Sequence, residues 1–118
     1  MSEFETKDSG ERVDFHSGMR RDVDTGKPRY DLLITPDGFT MMKRWAELMG
    51  RGADKYGEHN WVLANSEAEL NRFKASAFRH FMQWIKGEQD EDHAAAVLFN
   101  VNAAEYVQKK LGDIEAPE

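Results

Sequence analysis

A chain of 118 residues is enough for one domain, and at this length roughly two-thirds of the unfolded surface leaves water on folding, so self-association is a natural supplement. The net charge of −6 argues against a protein that holds nucleic acid by bulk electrostatics, though not against a small anionic ligand bound together with a divalent metal. The absence of cysteine removes disulfides, zinc–thiolate sites and a cysteine nucleophile, and no run approaches the roughly 18 apolar residues of a membrane span.

Residues 1–25 carry mixed charge, serine and glycine with no sustained period, which predicts a flexible, solvated segment. The first twelve, MSEFETKDSGER, lack an apolar signal region, so a soluble cytoplasmic protein with no membrane or nucleic-acid partner is expected. In GKPRYDLLITP, Gly26 and Pro28 punctuate a turn that carries Lys27 and Arg29, two cations within reach of a ligand. Thr35 followed by Pro36 has the form of a helix N-cap and first helical position.

From Pro36 to about Lys55, Phe39, Met42, Trp45, Ala46, Met49 and Ala53 recur at helical spacing, with Glu47 as a carboxylate either in solvent or aimed at a site. Gly50 and Gly52 each cost this helix roughly 1 kcal/mol relative to alanine, so they mark either close packing of a neighbouring backbone or an early end. Gly57 then opens a loop with Lys55, Tyr56, His59, Asn60 and Trp61 around it. Aromatic, amide and cationic side chains there suit a base and its phosphates, while Trp61 is equally suited to anchoring the loop in the core.

Ser66 and Glu69 fit a capping box that starts a second helix running to about Lys86 and Gly87. Leu70, Phe73, Ala77, Phe81 and Ile85, flanked by Phe78, Met82 and Trp84, make a stripe wide enough for burial on more than one side. A third helix begins at the acidic corner GEQDEDH, with Asp90 as the expected N-cap and Gly112 as its close, before an acidic tail over 113–118. Ala94 to Ala96 permit close helix approach, and Asn100 and Asn102 need hydrogen-bond partners if buried. No alternation is long enough to build a sheet, and the fold class is all-α.

Glu91 and Asp92 lie three and four residues after Glu88, so a near-helical corner would bring each to the face of Glu88, where a divalent ion would relieve their repulsion. Capping alone also explains acids at a helix start. No histidine is followed by aspartate, and neither a G-x-x-x-x-G-K-[ST] phosphate loop nor a G-x-S-x-G element is present.

Three blocks, GKPRYDLL (Gly26 to Leu33), GADKYGEHNW (Gly52 to Trp61) and RHFMQWIKGEQDEDHAAAVLFN (Arg79 to Asn100), resemble in order and spacing the phage-type dATP/dGTP diphosphohydrolases. These are a branch of the all-α MazG-like nucleoside triphosphate pyrophosphohydrolases, and the resemblance spans about Arg20 to Leu111. It implies a bundle of three to four helices over residues 26–112, completed as a homodimer or homotetramer. It also implies Mg²⁺- or Mn²⁺-dependent hydrolysis of a deoxypurine nucleoside triphosphate to the monophosphate and pyrophosphate, with dGMP as feedstock for a modified purine in some phages. The superfamily's E-E-x-x-E helix followed by E-x-x-D is not present in full, and Arg79 and His80 stand where acids are expected. Glu88, Glu91 and Asp92 are therefore the first choices for catalysis and metal binding, with Glu47 fourth. Lys27, Arg29, Lys55 and Arg79 are candidates for the phosphates, Asn60 and Trp61 for the base, and His80, His93 and Asn100 for the rest of the pocket. The competing reading is a non-catalytic helical module that binds a nucleotide or a protein, its acids serving only as caps.

Overall fold

The computed structural model describes residues 4–23 and 25–115 and divides the chain into two compact units, Met1–Gly38 and Phe39–Glu118. The boundary expected after residue 25 falls inside the first unit. That unit contains a short antiparallel ribbon, β1 (Arg12–Asp14) and β2 (Arg20–Asp22), in the register Arg12 to Asp22 and Asp14 to Arg20. Its turn is closed by the Phe15 N–H donating to the Met19 carbonyl at 2.9 Å, with Gly18 at φ 93. The sequence predicts no strand here, and the reason is physical. The ribbon is held by charge pairs, Arg20 to Asp14 at 2.7 Å and Arg12 to Asp8 at 2.8 Å, instead of by a buried apolar face, so it carries no apolar alternation. Such an isolated two-stranded ribbon is marginal in water.

Thr35 and Pro36 do not start a helix. The Gly38 N–H donates to the Thr35 carbonyl at 2.8 Å, the Thr35 hydroxyl turns to Asp37, and Gly38 sits at φ 91, closing a tight turn. The first helix of the second unit, α1 (Met42–Tyr56), begins six residues later than expected, where the Thr40 hydroxyl accepts the Met42 N–H at 3.2 Å. It runs through Gly50 and Gly52 without breaking, and no described atom would lie within 4 Å of a β-carbon placed at either glycine. Neither close packing nor an early end accounts for them. Gly57, at φ 93, stops the helix by donating to the Ala53 carbonyl at 2.8 Å.

Helix α2 (Glu67–Ile85) starts where the capping box places it: the Ser66 hydroxyl accepts the Glu69 N–H at 3.2 Å. The return bond of Glu69 differs slightly, its carboxylate accepting from the Asn65 N–H at 2.9 Å and from the Ser66 hydroxyl at 2.8 Å. The helix ends in a Schellman motif. With Gly87 at φ 78, the Gly87 N–H donates to the Trp84 carbonyl at 3.0 Å and the Glu88 N–H to the Gln83 carbonyl at 3.1 Å.

Helix α3 (His93–Glu115) packs along α2, and α1 and the short 3₁₀ turn Asn60–Leu63 lean on α3. Its N-cap is Asp92 and not Asp90. The Asp92 carboxylate accepts the Ala95 N–H at 3.1 Å and its carbonyl the Ala96 N–H at 3.0 Å. The helix does not close at Gly112, so Asp113 belongs to α3, while residues 116–118 of the expected acidic tail lie outside the described residues.

The core is small: Ala64, Leu70, Ala104 and Val107, with Phe73 and Leu111 packed against it. Ala95, Ala96 and Ala103 are also buried, which lets α3 approach its neighbours closely, as the alanine run predicts. Burial of α2 on more than one side is not reached within one chain. Phe78, Trp84 and Ile85 are 68%, 51% and 60% exposed, because among the described elements α3 makes the one extensive contact with α2. No helix of the described residues is long and apolar enough to cross a membrane.

Leu70 is 1% exposed at the centre of this core, so Leu70→Ala is expected to cost about 2–5 kcal/mol. Ser66→Ala, which removes the cap bond and the hydroxyl's bond to the Glu69 carboxylate, is expected to cost about 1 kcal/mol. Urea unfolding of the two variants beside the wild type measures both. A smaller loss for Leu70→Ala than for Ser66→Ala would contradict this picture of the core.

Candidate functional site

The Schellman motif turns the chain sharply after α2, and seven residues later α3 begins. Within this corner, Glu88, Asp90 and His93 bring ligand-type atoms within 4.8 Å of one another. His93 is 2% exposed, while both carboxylates are exposed. The buried imidazole is held from two sides: Nε2 lies 2.7 Å from Asp90 Oδ1, and Nδ1 lies 2.9 Å from Nδ1 of His80 on α2.

The Asp90 carboxyl is held below its usual range, first of all by the hydrogen bond from His93, so it is an ionised acceptor. With both rings neutral, the arrangement that satisfies these contacts puts the His93 hydrogen on Nε2 and lets its Nδ1 accept from the N–H at Nδ1 of His80. The relay leaves Nε2 of His80 with a free lone pair. Burial pushes the His80 imidazole down, Arg79 and His93 add to that, and Glu91 and Asp90 oppose it. His80 is therefore neutral at pH 7 and able to accept a proton.

The remaining corner acids divide. Asp92 is engaged on both oxygens by the Arg44 guanidinium of α1, at 2.7 and 2.9 Å, in addition to capping α3. Its carboxyl is held below the usual range, chiefly by Arg44. Glu91 is exposed and turns toward a cavity of about 450 Å³ between α1, the loop after Gly57 and α3. Glu47 is exposed on α1 near Arg44, whose charge it supports.

The cavity is walled by Trp61, Phe73 and Phe99 on one side and by Leu48, Met49, Gly52 and Ala53 of α1 on another. Arg51, Lys55, His59, Asn60 and Glu91 supply its polar rim. Trp61 meets Phe99 edge-on with centroids 5.9 Å apart and Tyr106 at 5.5 Å, which fixes the plane of its indole. The loop that presents it is pinned from behind, where the Lys110 ammonium donates to the Val62 and Ala64 carbonyls at 2.7 Å each. His59 takes a left-handed φ of 58 at the rim, a strained conformation of the kind that clusters at ligand-binding loops. Trp61 thus lines the cavity and anchors the loop at once.

The structure brings His80, Glu88 and His93 together with Asp90, and places Lys55, Asn60, Trp61 and Glu91 on one cavity. Arg79 is exposed beside His80. Buried Asn100 donates its amide to the Ala96 carbonyl at 2.8 Å within its own helix, whereas Asn102 is exposed. Lys27 and Arg29 belong to the first unit, where Arg29 makes two bonds to Asp31 at 2.9 and 2.8 Å. Sequence reasoning passed over Arg51, Phe99 and the relay role of Asp90. An arginine one turn before Lys55 was available as a signal, but nothing local marks Phe99 as a cavity wall.

The second unit is thus a small helical bundle with an imidazole–carboxylate corner and a cavity with aromatic walls. The family model for the dATP/dGTP diphosphohydrolase N-terminal domain matches residues 17–115, and the chain belongs to that family. Neither the curated proteins nor the solved structures gave a match.

The Arg44–Asp92 pair yields a pH prediction. Asp92 has a folded pKa below its unfolded value, so its contribution to stability is present above about pH 4 and is lost as pH falls through the lower folded value. Urea unfolding should find Arg44→Met less stable than wild type at neutral pH, with the difference shrinking on acidification. A gap that persists at the acid end would mean that the guanidinium acts elsewhere.

Proposed function

We propose that this protein is a divalent-metal-dependent deoxypurine nucleoside triphosphate pyrophosphohydrolase, acting on dGTP, dATP or both in the cytoplasm. The observation that carries the reading is the junction at Glu91, where a cavity with aromatic walls meets the carboxylate–imidazole corner. A cavity of about 450 Å³ falls within the usual range for small-molecule sites. The Asn60 amide suits the edge of a base, Trp61 and Phe99 its faces, and Arg51 and Lys55 the phosphates.

The exposed carboxylates of Glu88 and Asp90 at the corner are hard oxygen donors that fit Mg²⁺ or Mn²⁺. Glu88 and Asp90 would hold the ion, Asp90 through the oxygen that does not face His93, and Glu91 would extend the set; both ring nitrogens of His93 are engaged in the relay, and Asp92 is occupied by Arg44. When bound, the ion neutralises phosphate charge and acidifies a water molecule. The chain's own part is orientation and proton handling. His80 Nε2 accepts the proton of a water that attacks the α-phosphorus, the bond from that phosphorus to the bridging oxygen breaks, and pyrophosphate leaves. The His80–His93–Asp90 relay fixes the imidazole for that task.

The exposed Phe78, Trp84 and Ile85 on the last turns of α2 support association of two or more copies, with a second chain covering what α3 leaves bare. Light scattering coupled to size exclusion should return a dimer or tetramer mass.

Incubation with dGTP and dATP plus Mg²⁺ or Mn²⁺, followed by separation of products, should give monophosphate and pyrophosphate. Inorganic triphosphate would mean a different bond is cut, and no product from any nucleotide would leave the non-catalytic binding module. Glu88→Gln is expected to abolish turnover and weaken Mn²⁺ binding by calorimetry with the helical circular dichroism unchanged. Wild-type turnover in that variant would remove the corner from the mechanism.

A further inference from the structure

Gly52 stands in the interior of α1, where glycine weakens a helix relative to alanine. Three ordinary reasons for a glycine fail here. Its backbone is not in the left-handed region, no described atom beyond its chain neighbours and the adjoining helix backbone would lie within 4 Å of an added β-carbon, and the helix continues past it to Tyr56. Unlike Gly50, which is exposed, Gly52 is half-buried and forms part of the cavity wall together with Trp61 and Phe99. Open space thus lies where a side chain would be, at a residue that itself lines the cavity.

We propose that Gly52 determines the size of base this site accepts, its bare backbone leaving room for the second ring of a purine. This rests on the pyrophosphohydrolase reading and adds a specificity-determining residue to it. A methyl group at position 52 would enter the space that the larger base needs, while a one-ring pyrimidine could still be seated against Trp61. An added methylene in a fitted pocket is typically worth about tenfold or more in discrimination. Gly50 supplies the control, being a glycine of the same helix with equally open surroundings but outside the cavity wall.

The test compares wild type, Gly52→Ala and Gly50→Ala by thermal unfolding, by light-scattering mass, by kcat and KM for dGTP and dATP with Mn²⁺, and by the inhibition constants of dCTP and dTTP against purine turnover. Both variants should have raised melting temperatures, which removes misfolding as an explanation of any loss. In Gly52→Ala, KM for the two purine nucleotides should rise about tenfold or more, with the inhibition constants of the pyrimidine nucleotides changing about twofold or less. Gly50→Ala should match the wild type on all four. Equal effects of Gly52→Ala on purines and pyrimidines, or none on either, would overturn the proposal while leaving the hydrolase reading intact. A changed assembly mass in Gly52→Ala with uniform loss would also overturn it, assigning the glycine to a subunit contact. A wild type that turns over neither purine nucleotide would overturn both.

Discussion

Helix α2 stops on a glycine at φ 78, and the amides of Gly87 and Glu88 satisfy the Trp84 and Gln83 carbonyls that the helix end leaves open. This one arrangement sets the direction in which the chain departs, and so the position of every acid between Glu88 and Asp92. A residue with a β-carbon would be strained at that φ, and the next turn would tend to continue as helix, carrying Glu88 away from His93. The second constraint is Asp92, whose carboxylate both caps α3 and grips Arg44, tying the start of α3 to α1. Between these fixed points lie the four residues Glu88 to Glu91.

The corner acids are chemically alike but do different work because their partners differ. Asp92 is occupied by a guanidinium and a helix amide, Asp90 by a buried imidazole, while Glu88 and Glu91 remain exposed toward the corner and the cavity. Placing Asp90 against His93 costs little, since the carboxylate stays solvated and its charge is favoured by the hydrogen bond. Burying His93 is the larger cost, met by satisfying both ring nitrogens at once. The pair of histidines therefore belongs to the stability of the α2–α3 contact as well as to the proposed chemistry.

Where sequence reasoning held, the determining interactions span a few residues. Ser66 and Glu69 are three apart, Gly87 acts on the turn just before it, and Gly57 on the residue four earlier. Where it failed, the partners were remote or the cue was absent. Thr35 and Pro36 have the form of a helix start, but Gly38 closes the turn first. Asp90 and Asp92 are both acceptable caps locally, and Arg44, 48 residues away from Asp92, decides between them. The β1–β2 ribbon escaped notice because salt bridges leave no hydrophobic period.

The sequence by itself determined an all-α second unit, the limits of α2, the reversal at Gly87 and, through three ordered blocks, the family. Periodicity and capping are properties of neighbours within one helical turn, so they survive in a linear reading. Only the tertiary structure decided which acid pairs with which base, that His80 and His93 meet nitrogen to nitrogen, and that Gly52 lines a cavity while Gly50 does not. Those facts depend on how helices cross, and crossing is set by the packing of alanines and a few large side chains around Leu70 and Val107.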